Sequence, residues 1–131
     1  MRATLAGEGL RARDIGIVLT HDQAVRDLNR RWRGIDRATD VLSFPYALER
    51  SRVDGDLVIS LDRLAAQAKR YRVTRGRELV RLVVHGTLHL AGLDHARDSE
   101  RRRMRRRETA ALRACAGQIA AIDRRLRKAS G

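Results

Sequence analysis

Residues 75–92 read RGRELVRLVVHGTLHLAG. Thr74, just before them, is placed to cap a helix, and Gly92 tolerates the left-handed backbone that ends one. In that helix His85 and His89 stand four apart, rotated by about 40° and one turn above each other. Both can therefore reach a single ion at the usual Zn–N distance of about 2.0–2.1 Å. Two ligands leave a tetrahedral metal half-bound. A turn at Gly92 brings the chain back, so that His95 can approach from the loop and complete a three-histidine site.

Three protein ligands leave a fourth position open, which is the catalytic rather than the structural pattern of zinc. The spacing H-x3-H-x5-H also matches the metzincin protease pattern, with Gly92 on its glycine. That pattern places a glutamate as general base where this chain has Gly86, and Asp94 is a poor substitute from its loop position. Peptide hydrolysis therefore lacks its proton acceptor. Iron, nickel or cobalt can also accept three imidazoles.

Outward from this helix the chain divides into short elements. "RDIGIVLTH" (residues 13–21) alternates Ile15, Ile17 and Leu19 with smaller or polar neighbours, as a half-buried strand does. In "DQAVRDLNRRWRG" Val25, Leu28 and Trp32 share one helical face, and Gly34 marks the stop. "DVLSFPY" (residues 40–46) reads as a strand closed by Pro45, "ALERSRVD" as a polar loop, and "GDLVIS" (residues 55–60) as a third strand. Ser60 can cap a helix with Leu61, Leu64, Ala65 and Ala68 inward. From about Asp98 onward one long basic helix is expected, with Leu112, Cys115, Ile119, Ile122 and Leu126 on a stripe. The expected fold is α+β: one domain over residues 1–131, a small mixed β-sheet with helices mainly on one face, and the three-histidine site on a helix and its following loop.

The 131 residues carry a formal charge of +13, and residues 97–131 hold twelve basic and four acidic groups of that balance. Such a surplus suits a polyanionic partner, although 27 of the 29 basic residues are arginine, as GC-rich coding alone would produce. The run "RRRMRRR" (residues 101–107) fits a phosphate-tracking surface and a plain solvated helix face equally well. No apolar run approaches the roughly 20 residues of a membrane span, and no secretory pattern is present. With one cysteine, Cys115, no internal disulfide can form, and the cytoplasm is the expected compartment. His21 has no partner at ligand spacing and reads as a strand-end or capping residue.

"VVHGTLHLAGLDH" (residues 83–95) resembles the signature of the YbeY family, bacterial rRNA maturation factors described as zinc-dependent endoribonucleases. "LNRRWRGIDRATDVLSFPY" (residues 28–46) and "GDLVIS" are similar to two further stretches of that family, in the same order, and the likeness covers roughly residues 14–110. The resemblance implies one Zn2+ per chain on His85, His89 and His95, with Arg33 as the functional arginine. It implies single-stranded RNA, rRNA above all, as substrate. It further implies work in small-subunit rRNA 3′-end maturation and ribosome quality control, beside the small ribosomal subunit and its assembly factors. Neither membrane nor DNA is expected as a partner.

An arginine suits phosphodiester chemistry, because its planar fork holds two phosphate oxygens and offsets charge on a pentacovalent phosphorus. Attack by water and attack by the RNA 2′-hydroxyl both remain open. Ser43, in "TDVLSF", is a candidate RNA contact and equally a strand residue; Trp32 is expected in the core, with base stacking as its other role. The chain departs from the family pattern at Ala38 (commonly proline) and Leu93 (commonly tyrosine), and in its longer arginine-rich C-terminal helix. Its N-terminus is expected to lack the family's leading strand, which leaves open whether Met1 is the true start. The rival to a nuclease is a non-catalytic RNA-binding ribosome-assembly factor whose zinc only pins the His95 loop.

Overall fold

Val53, Leu57 and Ile59 are fully buried, while Val58 between them is buried from the opposite side. That two-sided burial, with side chains alternating across the strand, marks the central strand of a sheet. In the computed structural model, which describes residues 11–49, 52–93 and 97–130, it is β3 (Arg52–Ser60). β1 (Arg11–Thr20) pairs with it in parallel and β2 (Val41–Glu49) antiparallel, in the order β1-β3-β2. The sheet is therefore mixed, as expected. The stretch expected to be a loop after Pro45 instead forms the two arms of a hairpin. Proline is tolerated because β2 is an edge strand, and an irregularity between Pro45 and Ala47 absorbs its missing donor.

Five helices surround the sheet: α1 (Asp22–Arg33), α2 (Leu61–Tyr71), α3 (Arg75–Leu90), α4 (Asp98–Ala114) and α5 (Ala116–Ser130). Ser60 and Thr74 cap α2 and α3 as expected, accepting the backbone N–H of Arg63 and Arg77 at 3.2 Å. α3 lies over β2 and β3. Leu90 packs with Val53 and Leu57, and Leu82 packs with Ile59 and with Leu64 of α2. α1 covers the other face through Val25, which packs with Leu42 and Val58, so that face too carries a helix. Val84, Leu88, Leu93 and Met104 then bind α4 to the outer side of α3.

Three further expectations fail for physical reasons. The single C-terminal helix is two helices meeting at Cys115, whose backbone (φ −97°, ψ 16°) leaves the helical region. The break turns α5 back on α3, burying Ile119 and letting the Asp123 carboxylate accept the Gly76 N–H at 2.8 Å. An acid at that helix start is also favoured by the α3 dipole. Trp32, expected in the core, is 67% exposed. The segment after α1 folds against Asn29 instead, whose amide donates to the Arg37 carbonyl at 2.8 Å, and leaves the indole outside. Ile17 and Leu19 of β1 are likewise exposed, since α3 lies over the other two strands. The expectation about the N-terminus falls on residues 1–10, outside those described. Among the described residues no helix is long and apolar enough to cross a membrane.

Candidate active site

His85 and His89 project from the same side of α3, with ring centroids 4.8 Å apart. Their Nε2 atoms face each other at 3.1 Å. Two nitrogens each about 2.0–2.1 Å from one tetrahedral ion would stand about 3.3 Å apart, so the pair is already close to a ligand spacing. His85 is fixed from behind: its Nδ1 donates to Glu108 Oε1 of α4 at 2.7 Å. That bond selects the tautomer that leaves Nε2 for a cation, the arrangement by which outer carboxylates orient metal-binding histidines.

Arg33 arrives from the opposite wall, at the last position of α1. Gly34 ends that helix with φ 70°, and the N–H groups of Gly34 and Ile35 return to the Arg30 and Asn29 carbonyls at 3.1 and 3.3 Å. This left-handed closure favours glycine and sets the direction in which the chain leaves Arg33. Arg26 then grips Asp36 through two bonds of 2.8 and 3.2 Å. The Arg26 hydrogen bond holds the Asp36 carboxyl below its ordinary range. From there the chain enters β2 through Asp40, which accepts the Val41 N–H at 2.8 Å and the Gln67 amide at 3.1 Å.

Arg33, His85 and His89 meet in one cleft of about 280 Å³, completed by Thr39, Asp40 and Ser43. Ser43 lines this cleft and also donates to the Gly86 carbonyl at 3.0 Å, tying β2 to the histidine helix. His95 and Asp94 lie outside the described residues. Among the described residues no three histidine, cysteine, aspartate or glutamate side chains form a metal-holding group. The turn leading to His95 begins as expected, with Gly92 at φ 94° and Leu93 buried beside Met104. His21 occupies the N-cap position of α1 and donates to Asp62 at 3.3 Å, away from the cleft.

The sequence pattern of one family, Endoribonuclease YbeY, matches residues 2–116. The chain belongs to the endoribonuclease YbeY family. It is 47% identical over 114 residues to Endoribonuclease YbeY of Anaeromyxobacter sp. (strain Fw109-5), covering 86% of this chain and 59% of that relative. It is 43% identical over 109 residues to the Desulfitobacterium hafniense (strain Y51) protein of the same name, covering 76% of this chain and 69% of the other. The chain thus spans about three fifths of the first relative's length. The solution structure of TM1509 from Thermotoga maritima superposes with a TM-score of 0.66 at 28% identity, covering 89% of this chain and 77% of that one. The match to the YbeY pattern ends at residue 116, where α5 begins, so this helix lies beyond the matched part.

Two features of this YbeY-family cleft were not read from the sequence. Glu108 is the only acid between Glu100 and Asp123, and its isolation within an arginine run was the available signal. Asp40 is cleft-lining but committed to holding the β2 entry. Gly86, where zincin peptidases carry glutamate, is buried against the sheet. A Cβ there would stand 2.8 Å from Leu57 Cδ2 and 3.2 Å from Val41 Cγ2. A side chain at 86 thus starts into the core rather than the cleft. Gly86→Glu is expected to cost about 3 kcal/mol or more of stability through overpacking and an unpaired buried charge. A lowered denaturation midpoint with no gain of peptidase activity is the expected result; an unchanged midpoint would mean the helix–sheet contact is slack.

Proposed function

We propose that this chain is a metal-dependent endoribonuclease that cuts single-stranded RNA, with His85, His89 and His95 holding one zinc ion and Arg33 facing the scissile phosphate. The observation that carries the reading is the pair of opposed Nε2 atoms, 3.1 Å apart, in the same cleft as an arginine. An all-imidazole donor set suits zinc. When bound, zinc supplies Lewis acidity toward water and the phosphodiester.

The protein's own groups do the rest. Glu108 keeps His85 in the tautomer that presents Nε2. Arg33, anchored on a rigid helix end, places a planar two-pronged donor where phosphate charge accumulates. Ser43 ties the cleft wall to α3, and Asp40 fixes the entry to β2 through Val41 and Gln67 of α2. The family's name supports RNA as substrate, and the arginine-rich α4 fits a polyanion. By the same resemblance the proposed setting is cytoplasmic rRNA processing, including small-subunit 3′-end maturation and ribosome quality control.

The test is incubation of end-labelled single-stranded rRNA with zinc-loaded full-length protein, with and without a chelator. Cleavage that stops with the chelator supports the reading. A 2′,3′-cyclic phosphate end identifies the RNA 2′-hydroxyl as nucleophile, whereas a hydrolysed end without that intermediate identifies water. Intact RNA beside stoichiometric bound zinc would overturn the nuclease reading in favour of a zinc-pinned assembly factor.

A further inference from the structure

Arg77 and Arg81 precede His85 and His89 at intervals of four. The four side chains therefore climb one side of α3, each about 40° round and one turn beyond the last. Facing them, α4 presents Arg105, Glu108 and Leu112 on one of its own faces. Glu108 closes onto His85. Toward the start of α3 the two helices bound a groove of about 600 Å³, lined by Tyr71, Arg77, Glu78, Arg81, Arg105 and Leu112 among others.

The charge of this groove is positive. Its one carboxylate, Glu78, is 1% exposed and is gripped by Arg81 through bonds of 2.7 and 2.8 Å. Arg81 is held protonated first by that hydrogen bond, with the nearby carboxylates of Glu108 and Asp40 adding smaller attractions. With Glu78 neutralised, Arg77 and Arg105 remain as exposed cations on opposite walls. Tyr71 stands 56% exposed at one side, with the Arg70 guanidinium 5.8 Å from its ring centre. Around α4 the exposed Arg102, Arg106 and Arg113 surround a further depression next to Arg105. A basic groove beside a solvent-exposed aromatic ring is the combination that holds an unpaired nucleic-acid strand.

We propose that this groove is a second contact for single-stranded RNA, in which the strand flanking the cleft lays its phosphates against Arg77 and Arg105 and stacks a base on Tyr71. The proposal rests on the RNA-cleaving reading of the cleft. Arg77 and His85 are separated by a helical rise of about 12 Å, so only a strand extending beyond the cleft reaches the groove. Arg81 belongs to the site but is unsuited to testing it, because its loss strands the buried Glu78 carboxylate.

The experiment uses metal-loaded full-length protein and a fluorescent 2′-O-methyl RNA strand, verified intact by gel. Anisotropy is read across a salt series for the native chain, the Arg77→Ala/Arg105→Ala double variant and Tyr71→Ala. The double variant is expected to bind a long strand about tenfold more weakly, with the salt slope reduced by about 0.7 per lost contact. Tyr71→Ala should weaken binding about fivefold or more and leave the slope unchanged. A strand too short to leave the cleft should bind all three proteins alike. Native affinity and slope in the double variant overturn the groove, whether or not the native protein cleaves RNA. If the variants lose long-strand binding while native protein cleaves nothing, the groove stands and the nuclease reading falls.

Discussion

A His89→Ala protein is expected to fold, to lose stoichiometric metal and to lose RNA cleavage down to background. His89 is only partly buried on α3, so its removal disturbs no part of the core. It does remove one of two nitrogens that face each other at 3.1 Å. Tethering by the remaining ligands cannot restore the lost bond, so the effect should exceed the roughly 10–100-fold typical of changes behind the ligands. Glu108→Gln supplies that milder case, because His85 keeps a partner but loses the carboxylate that strengthens its basicity. The check is metal content by atomic spectrometry beside cleavage rate and circular dichroism. Full metal content and native cleavage in the His89→Ala protein would remove this histidine from the site.

Arg33→Ala is expected to leave metal content and folding intact and to lower kcat and kcat/KM together by about 10²–10³-fold, the scale of losing one preorganised charge-stabilising donor. The side chain is exposed at a helix end, and surface changes of that kind alter stability by only about 0.5 kcal/mol. Arg33→Lys should recover part of the loss, since a lysine keeps the charge but not the two-pronged geometry. A rise in KM with unchanged kcat would instead make Arg33 a residue that binds RNA without acting on the transition state.

Local chemistry explains which parts of this architecture were readable in advance. Ser60, Thr74, Gly34 and Gly92 each act on their own neighbours through a cap or a left-handed turn, and each does in the structure what its residue type dictates. The histidine spacing was likewise local to one helix. What could not be read depends on distant partners. Pro45 ends a strand unless that strand lies at a sheet edge, which the order β1-β3-β2 decides. The apolar stripe through Leu112, Cys115 and Ile119 carries no trace of the break at Cys115, because the bend answers to Gly76 and Asp123, forty-seven positions apart. Trp32 obeyed the right period on the right helix, yet among the described residues no element covers it. Glu108 meets His85 across twenty-three positions, a distance no spacing rule spans.

The contact between Glu108 and His85 joins two helices as well as two side chains. Under the proposed metal assignment it makes cation affinity and the docking of α4 on α3 linked equilibria. Whatever free energy a bound ion gains from a correctly held imidazole must appear equally as added resistance of α4 to detachment. Met104 and Leu93 lie in the same helix–helix contact. Weakening that apolar seam, which supplies no ligand atom, would therefore register as a poorer metal site, and occupancy by the ion would in turn hold the seam closed.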